Sequence, residues 1–415
     1  MYFLYNLIVI SASAILRVLA LVNSKLYLFV KGRKETSFIL KNSITKDDKV
    51  IWMHTASLGE YEQGLPILEE LKRQYPTHKI VLTFFSPSGY EVKKDSTIAD
   101  VICYLPLDTK NNVRSFLKAT HPDIAIFIKY EIWPNYLTAL KERNTPTFLI
   151  SALFKENQVY FKWYGAFMRN ALSKFSHFFV QNEKSLTLLK SIGFDNITIA
   201  GDTRFDRVCE ILKRENTLDF MNSFKQDEFC FIAGSTWPED EKLIIDYING
   251  NTHPIKFVIA PHTIKEKHIQ AIKQSISKAV VCYSEIDNSN IEDYEVMIID
   301  TIGLLTKIYS YADIAYVGGA FVTGLHNTLE PAVFGIPVII GPDYDGFAEA
   351  EELVKLKGVL SIKNFDEFET QVNNCYKNEN FKHHTGQINL EYIKEKAGAT
   401  QRVMNVITSI FKPTP

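Results

Sequence analysis

The sequence is poor in what disulfide-held and metal-binding proteins are rich in. Its five cysteines, Cys103, Cys209, Cys230, Cys282 and Cys375, are scattered, with no C-x-x-C pair among them. Such spacing offers neither a disulfide framework nor a zinc site, and it points to a reducing compartment. No carboxylate pair stands at metal-ligand spacing, so no metal and no other cofactor is expected. Charge of one sign is also missing: 46 Lys and Arg against 48 Asp and Glu leave a formal net charge of −2. A general nucleic-acid binder needs a basic excess, so no nucleic-acid partner is expected. Low-complexity segments are lacking too, and the 46% hydrophobic content is that of a folded chain. A chain of 415 residues exceeds one ordinary core, and two domains are expected.

What is present begins with one long apolar run. Between Tyr2 and Val22 the only charge is Arg17, and about 20 apolar residues suffice to cross a bilayer. Lys25, Lys31, Arg33 and Lys34 follow, a basic flank that would stay on the cytoplasmic side. Asn6, Ser13, Arg17 and Ser24 fall on one helical stripe. A stripe of that kind suits a helix lying in the interface or docked on protein, beside the reading as a span. Both put the chain on a membrane; a buried helix of a soluble fold is the third reading.

From residue 50 onward, short apolar runs alternate with helical segments. The runs are 50–54, 79–84, 101–105, 123–128, 145–150, 177–181 and 197–200. After a more polar stretch near 207–227 a second series follows: 229–233, 256–260, 279–283, 296–300, 314–317 and 337–340. Continuous apolar strands between helices mean parallel sheets covered on both faces. The expected fold class is α/β, with two doubly wound Rossmann-like domains and a membrane-associated N-terminal helix. The domains are expected at 1–30, 31–210 and 211–415, the two larger ones facing a cleft at the carboxyl ends of their strands.

Candidate site residues cluster at those strand ends. Glu60, in Ser57-Leu58-Gly59-Glu60, opens a helix after the first strand. Its carboxylate suits a general base, and the helix N-terminus is expected to keep its pKa low; a plain capping charge has the same spacing. Lys129 and Glu131 precede Trp133-Pro134 and suit hydroxyl binding or a simple ion pair. Arg204 could hold an anion, or pair with Asp202 or Asp206.

In the second domain, Ser235 and Thr236 precede a helix start marked by Pro238, an arrangement suited to phosphate or to ordinary capping. His262 ends the next strand and could bond a nucleotide. The stretch from Tyr316 to Pro342 reads strand, glycine turn, helix, strand. In it Gly318 and Gly319 would let backbone N–H groups approach a phosphate. Glu330, with Asn327 close by, could accept ribose hydroxyls or merely complement a helix dipole.

Six pieces in order carry a family likeness: Ser57–Glu60 (SLGE), Glu131–Asn135 (EIWPN), Gly234–Thr236 (GST), Asp300–Gly303 (DTIG), Val317–Phe321 (VGGAF) and His326–Pro331 (HNTLEP). Together they resemble the transferases of 3-deoxy-D-manno-octulosonic acid (Kdo) in lipopolysaccharide synthesis. The resemblance implies a GT-B glycosyltransferase on the cytoplasmic face of the inner membrane. It would be inverting and metal-independent, and would move Kdo from CMP-Kdo to a lipid A precursor. It also implies Glu60 as base and Ser235, Thr236, Asn327 and Glu330 in the donor region. Departures are Lys129 where the family has Glu, His262 where it has Arg, Leu304 after Gly303 where it has Glu, and a shortened loop before His326. The competing readings are a GT-B enzyme acting on a UDP-sugar, whether transferase or epimerase, and a non-catalytic membrane protein that binds a sugar nucleotide.

Overall fold

A computed structural model describes residues 1–286 and 290–412. The chain divides into two compact units, Met1–Arg207 with Ala397–Pro415, and Val208–Lys396. Each is built on one parallel seven-stranded sheet. In the first unit the strands are β1 (Lys49–Thr55), β2 (His78–Phe84), β3 (Val101–Tyr104), β4 (Ile124–Ile128), β5 (Thr147–Ala152), β6 (His177–Val180) and β7 (Ile197–Ile199), in spatial order β3-β2-β1-β4-β5-β6-β7. The second unit holds β8 (Phe229–Thr236), β9 (Ile255–Pro261), β10 (Val280–Cys282), β11 (Val296–Ile298), β12 (Ile314–Val317), β13 (Val338–Ile340) and β14 (Val359–Ser361), in order β10-β11-β9-β8-β12-β13-β14. Every strand expected from the apolar runs is present. Only β14, three residues long, lay outside them.

The apolar runs form strands because both of their faces are covered. All five residues of β4 are buried. Trp52 and Phe127 pack on one side of the first sheet, and Met53 and Ile126 on the other. In both units the strand order reverses beside the first strand, between β1 and β4 and between β8 and β12. At such a reversal the loops diverge and leave a crevice at the strands' carboxyl ends, where ligands of doubly wound sheets bind.

Two boundaries differ from expectation. The apolar N-terminus is helix α1 (Tyr2–Leu19), and a second helix, α2 (Ser24–Ser43), follows at once. The expected edge at residue 30 therefore falls inside α2. The Asn23 side chain caps α2 by accepting the Leu26 N–H at 3.1 Å. Thr36 donates from α2 to the Tyr104 carbonyl at 2.8 Å, and Phe29 and Leu40 are buried. The supposed basic flank is thus a helix of the first unit. Asn23→Ala is expected to lower that unit's stability by about 1 kcal/mol, the usual loss of an N-cap, read as a lower thermal midpoint.

The other difference is the tail, which the range 211–415 gave to the second domain although its amphipathic pattern also allowed a return onto the first. Helix Ala399–Ile410 instead puts Val403, Met404 and Ile407 into the first unit's core beside Leu68 and Leu71. Asp206 fixes its start by accepting the Thr400 N–H at 2.6 Å and the Thr400 hydroxyl at 2.8 Å. The amphipathic stripe of the tail completes a core that residues 1–207 leave open.

Candidate active site

In the first unit the crevice between β1 and β4 gathers Glu60, Glu131 and Lys129. After β1 the chain turns through Ala56 and Ser57 into helix α3 (Leu58–Gln74), which puts Glu60 in its first turn. The Glu60 carboxylate accepts the Ala56 N–H. The helix N-terminus was expected to keep this group acidic, and the structure reverses that. Burial, followed by the negative charge of Glu131, outweighs the Ala56 N–H, the Lys129 charge and the Ser57 N–H, and raises the pKa to about 7. A carboxylate with that pKa accepts a proton far more readily than an ordinary one and is still half ionised at neutral pH.

Glu131 is held by a buried polar chain. Its Oε2 accepts the Trp133 indole N–H at 2.8 Å and lies 3.0 Å from His54 Nε2. His54 is fully buried, and its Nδ1 lies 2.9 Å from the Thr83 hydroxyl. That hydroxyl accepts the Trp52 indole N–H at 2.9 Å. His54 Nδ1 also lies 3.1 Å from the Thr83 carbonyl oxygen, so the ring is held at both nitrogens, with Nε2 against the Glu131 carboxylate. Sequence reasoning singled out Glu131 but missed His54 and Thr83. The available signal was a histidine at the end of an otherwise apolar strand.

Glu131→Gln removes the charge that opposes ionisation of Glu60. The pKa of Glu60 should fall, so the acidic limb of the kcat/KM profile should move to lower pH. An unmoved limb, with rate still measurable, would mean the two carboxyls are uncoupled.

Lys129 sits in the left-handed region, φ 63°, and its N–H donates to the Ile150 carbonyl at 2.8 Å. Its ammonium lies 5.3 Å from the Tyr130 ring centre. Arg204 pairs with Asp202, Nε to Oδ2 at 2.8 Å. Of the two roles weighed for Arg204, the structure favours the ion pair.

In the second unit the crevice between β8 and β12 gathers the other candidates, with two corrections. Strand β8 runs on through Thr236, whose hydroxyl is buried and donates to Glu241 at 3.1 Å. It is committed to the fold rather than open to a phosphate. Gly318 and Gly319 are not free donors either. The Gly318 N–H goes to the Gly234 carbonyl at 3.0 Å, and the Gly319 N–H goes to the buried Asp240 at 2.9 Å. Asp240 also accepts the Tyr316 hydroxyl at 2.6 Å and the Trp237 N–H at 2.9 Å. Glycine is needed at 318 for close approach, because a Cβ there would lie 2.4 Å from the Ser235 carbonyl oxygen.

The groups left facing outward form an aromatic ladder. His262 stacks on Trp237 with ring centres 4.6 Å apart, and His326 lies 4.7 Å from His262. Trp237 Nε1 donates to His326 Nε2 at 3.0 Å. Burial, then the neighbouring His262, lowers the pKa of His326, which favours the neutral ring that accepts this bond. Trp237 and His326 were not among the expected site residues. Ser235, at φ 54°, turns the chain into this ladder. Asn327 donates to Glu330 at 3.0 Å, and Thr306 donates to the other Glu330 oxygen at 3.1 Å.

Residues 31–207 match the family model described as 3-deoxy-D-manno-octulosonic-acid transferase (kdotransferase). The 3-deoxy-D-manno-octulosonic acid transferase of Haemophilus influenzae is 28% identical over 98% of this chain and 97% of its own length. That of Aquifex aeolicus is 29% identical over 81% of this chain and 88% of its own. The chain is similar to Kdo transferases over nearly its whole length. It is accordingly a glycosyltransferase. Among solved structures, the UDP-GlcNAc 2-epimerase of Neisseria meningitidis covers 87% of the chain and 100% of its own length, with 16% identity and a TM-score of 0.62. MurG of Acinetobacter baumannii covers 87% and 99%, with 12% identity and a TM-score of 0.53. These likenesses establish the GT-B type of fold for the chain and nothing about its substrate.

Proposed function

We propose that the chain transfers Kdo from CMP-Kdo to a sugar hydroxyl of a lipid A precursor, in one displacement with inversion. The observation that carries the reading is Glu60: a part-buried carboxyl at a strand reversal, its pKa raised to about 7 with Glu131 beside it. Likeness to Kdo transferases supports the donor sugar. Glu60 takes the proton of the acceptor hydroxyl as its oxygen bonds to the anomeric carbon of Kdo. The bond from that carbon to the CMP phosphate oxygen breaks, and CMP leaves. Attack opposite the leaving group inverts the centre. Ser235, His262, Asn327 and Glu330, with Trp237 and His326, form the donor site; Lys129 and Glu131 support the acceptor side.

The apolar helix supports a place on the membrane. Among the described residues α1 is the one helix long and apolar enough to cross a bilayer. Its polar side is spent on the first unit: Tyr2 bonds Thr138 at 2.8 Å, Tyr5 donates to Asp108 at 2.7 Å, and Asn6 meets Asn135 at 3.2 Å. Phe3, Ile8, Ile15 and Val18 face outward. A helix docked this way presents its apolar face to lipid without leaving the unit, which fits the cytoplasmic leaflet of the inner membrane.

The test is incubation with freshly generated CMP-Kdo and tetraacylated lipid A precursor, followed by mass measurement of the lipid. A mass gain of one or more Kdo units is expected. An unchanged lipid, or inhibition by UDP and not by CMP, would overturn the reading.

A further inference from the structure

Beneath α1 lies a basic cavity that the transfer reaction leaves unused. It has a volume of about 150 Å³ and is walled by Arg17 and Ser13 of α1, Arg33 and Lys34 of α2, and Asn112. A wider recess of about 530 Å³ shares Ser13, Arg17 and Asn112 with it and adds Lys110. No carboxylate lines either space among the described residues.

Arg33 forms the floor and is not a surface cation, as its place in the basic flank had suggested. Its guanidinium donates to the Phe29 carbonyl at 2.9 Å and the Phe85 carbonyl at 2.6 Å. It lies 3.5 Å from the Phe29 ring centre and 4.8 Å from that of Phe85. Among the described residues its Nε, a buried donor, has no hydrogen-bond partner. Burial lowers its pKa to about 9, so it remains charged at neutral pH. Arg17, Lys34 and Lys110 are exposed and unpaired among the described residues. Phe3 and Ile10, both exposed, stand at the edge of the recess.

A cluster of cations rimmed by outward apolar side chains matches the boundary where lipid phosphates lie. We propose that this cavity seats the headgroup phosphate of a net-negative glycerophospholipid. Arg17, Lys34 and Lys110 supply the charge, Ser13 and Asn112 supply hydrogen bonds, and the lipid's acyl chains run along the outer face of α1. The inference rests on the membrane reading of α1, and not on the identity of the sugar donor. Each cation near an anionic leaflet contributes about 1 kcal/mol, roughly a fivefold change in partitioning.

The test is flotation of the full chain with vesicles of phosphatidylcholine alone and with phosphatidylglycerol added. Binding should strengthen with phosphatidylglycerol. Lys34→Gln and Lys110→Gln should each weaken that gain about fivefold, and Arg17→Gln likewise. Lys31→Gln is the control, since Lys31 lies on α2 outside the cavity wall, with its ammonium 5.9 Å from the Tyr27 ring centre; it should change binding less than Lys34→Gln. Unaltered thermal midpoints establish that the variants fold. Equal losses from Lys31→Gln and Lys34→Gln would overturn the seat in favour of diffuse surface charge. Failure to float with either vesicle would overturn the membrane reading itself and leave Kdo transfer standing.

Discussion

Glu60→Gln is expected to lower the rate of transfer by about 10²- to 10⁴-fold, the usual contribution of a positioned base. The amide keeps an oxygen for the Ala56 N–H that holds Glu60 in place, so the helix start should be undisturbed. The donor-site residues proposed above all belong to the second unit, so binding of CMP-Kdo should be unchanged. Full activity in this variant would remove Glu60 from the chemistry. Stability gives an independent readout with the opposite sign. The folded pKa of Glu60, about 7, lies above the ordinary value of 4.5. A group raised in this way supports the fold fully below pH 4.5, and that support is lost as pH rises through 7. The glutamine variant escapes this loss, so it should gain stability relative to the native chain between pH 5 and pH 8. A base that weakens the fold in the form that works is the expected signature of a site tuned for reaction.

Gly318→Ala should have the largest effect on the second unit. The new Cβ would lie 2.4 Å from the Ser235 carbonyl oxygen, 2.7 Å from an Asp240 carboxylate oxygen and 2.8 Å from Thr236 Cα. Two of these are backbone atoms, and the third belongs to a buried carboxylate held by Tyr316, Gly319 and Trp237. None can swing away as a flexible side chain would. The ends of β8 and β12 must part, at a cost of about 1–3 kcal/mol or more, and Ser235 and Trp237 move with them. Loss of donor binding together with a lower urea midpoint is the expected result. Gly250→Ala, where a Cβ meets nothing within 4 Å, should stay within about 0.5 kcal/mol, as surface changes usually do.

The sheets were legible because their strands are uninterrupted apolar runs between helical segments, a pattern that only burial on both faces explains. The candidate residues were legible because they follow those runs, and strand ends at a reversal of order are where a doubly wound sheet meets its ligand. What escaped depended on partners distant in sequence. The N–H of Gly319 is taken by Asp240, 79 residues earlier. The raised pKa of Glu60 comes from burial and then from Glu131, and no local helix-dipole argument contains either. His54 looked like one more residue of β1 until the fold brought Thr83 and Glu131 to its two nitrogens. The polar stripe on α1 was visible, but its partner was not. Its first residue meets Asn135, and Ser13 and the exposed Arg17 wall a cavity.

The return of the tail fixes an order of events during synthesis. Residues 208–396 form an insertion within the first unit, whose core needs Val403, Met404 and Ile407 from the end of the chain. On a ribosome that delivers the chain from its N-terminus, the second unit has all of its strands before the first has its last helix. The first unit must wait, with the apolar face that includes Leu68 and Leu71 uncovered, while its neighbour in sequence folds. A stop codon after residue 396 would leave the second unit whole and the first unfinished. Chains cut short in this way should be cleared as aggregation-prone fragments, even though every proposed site residue has already been made.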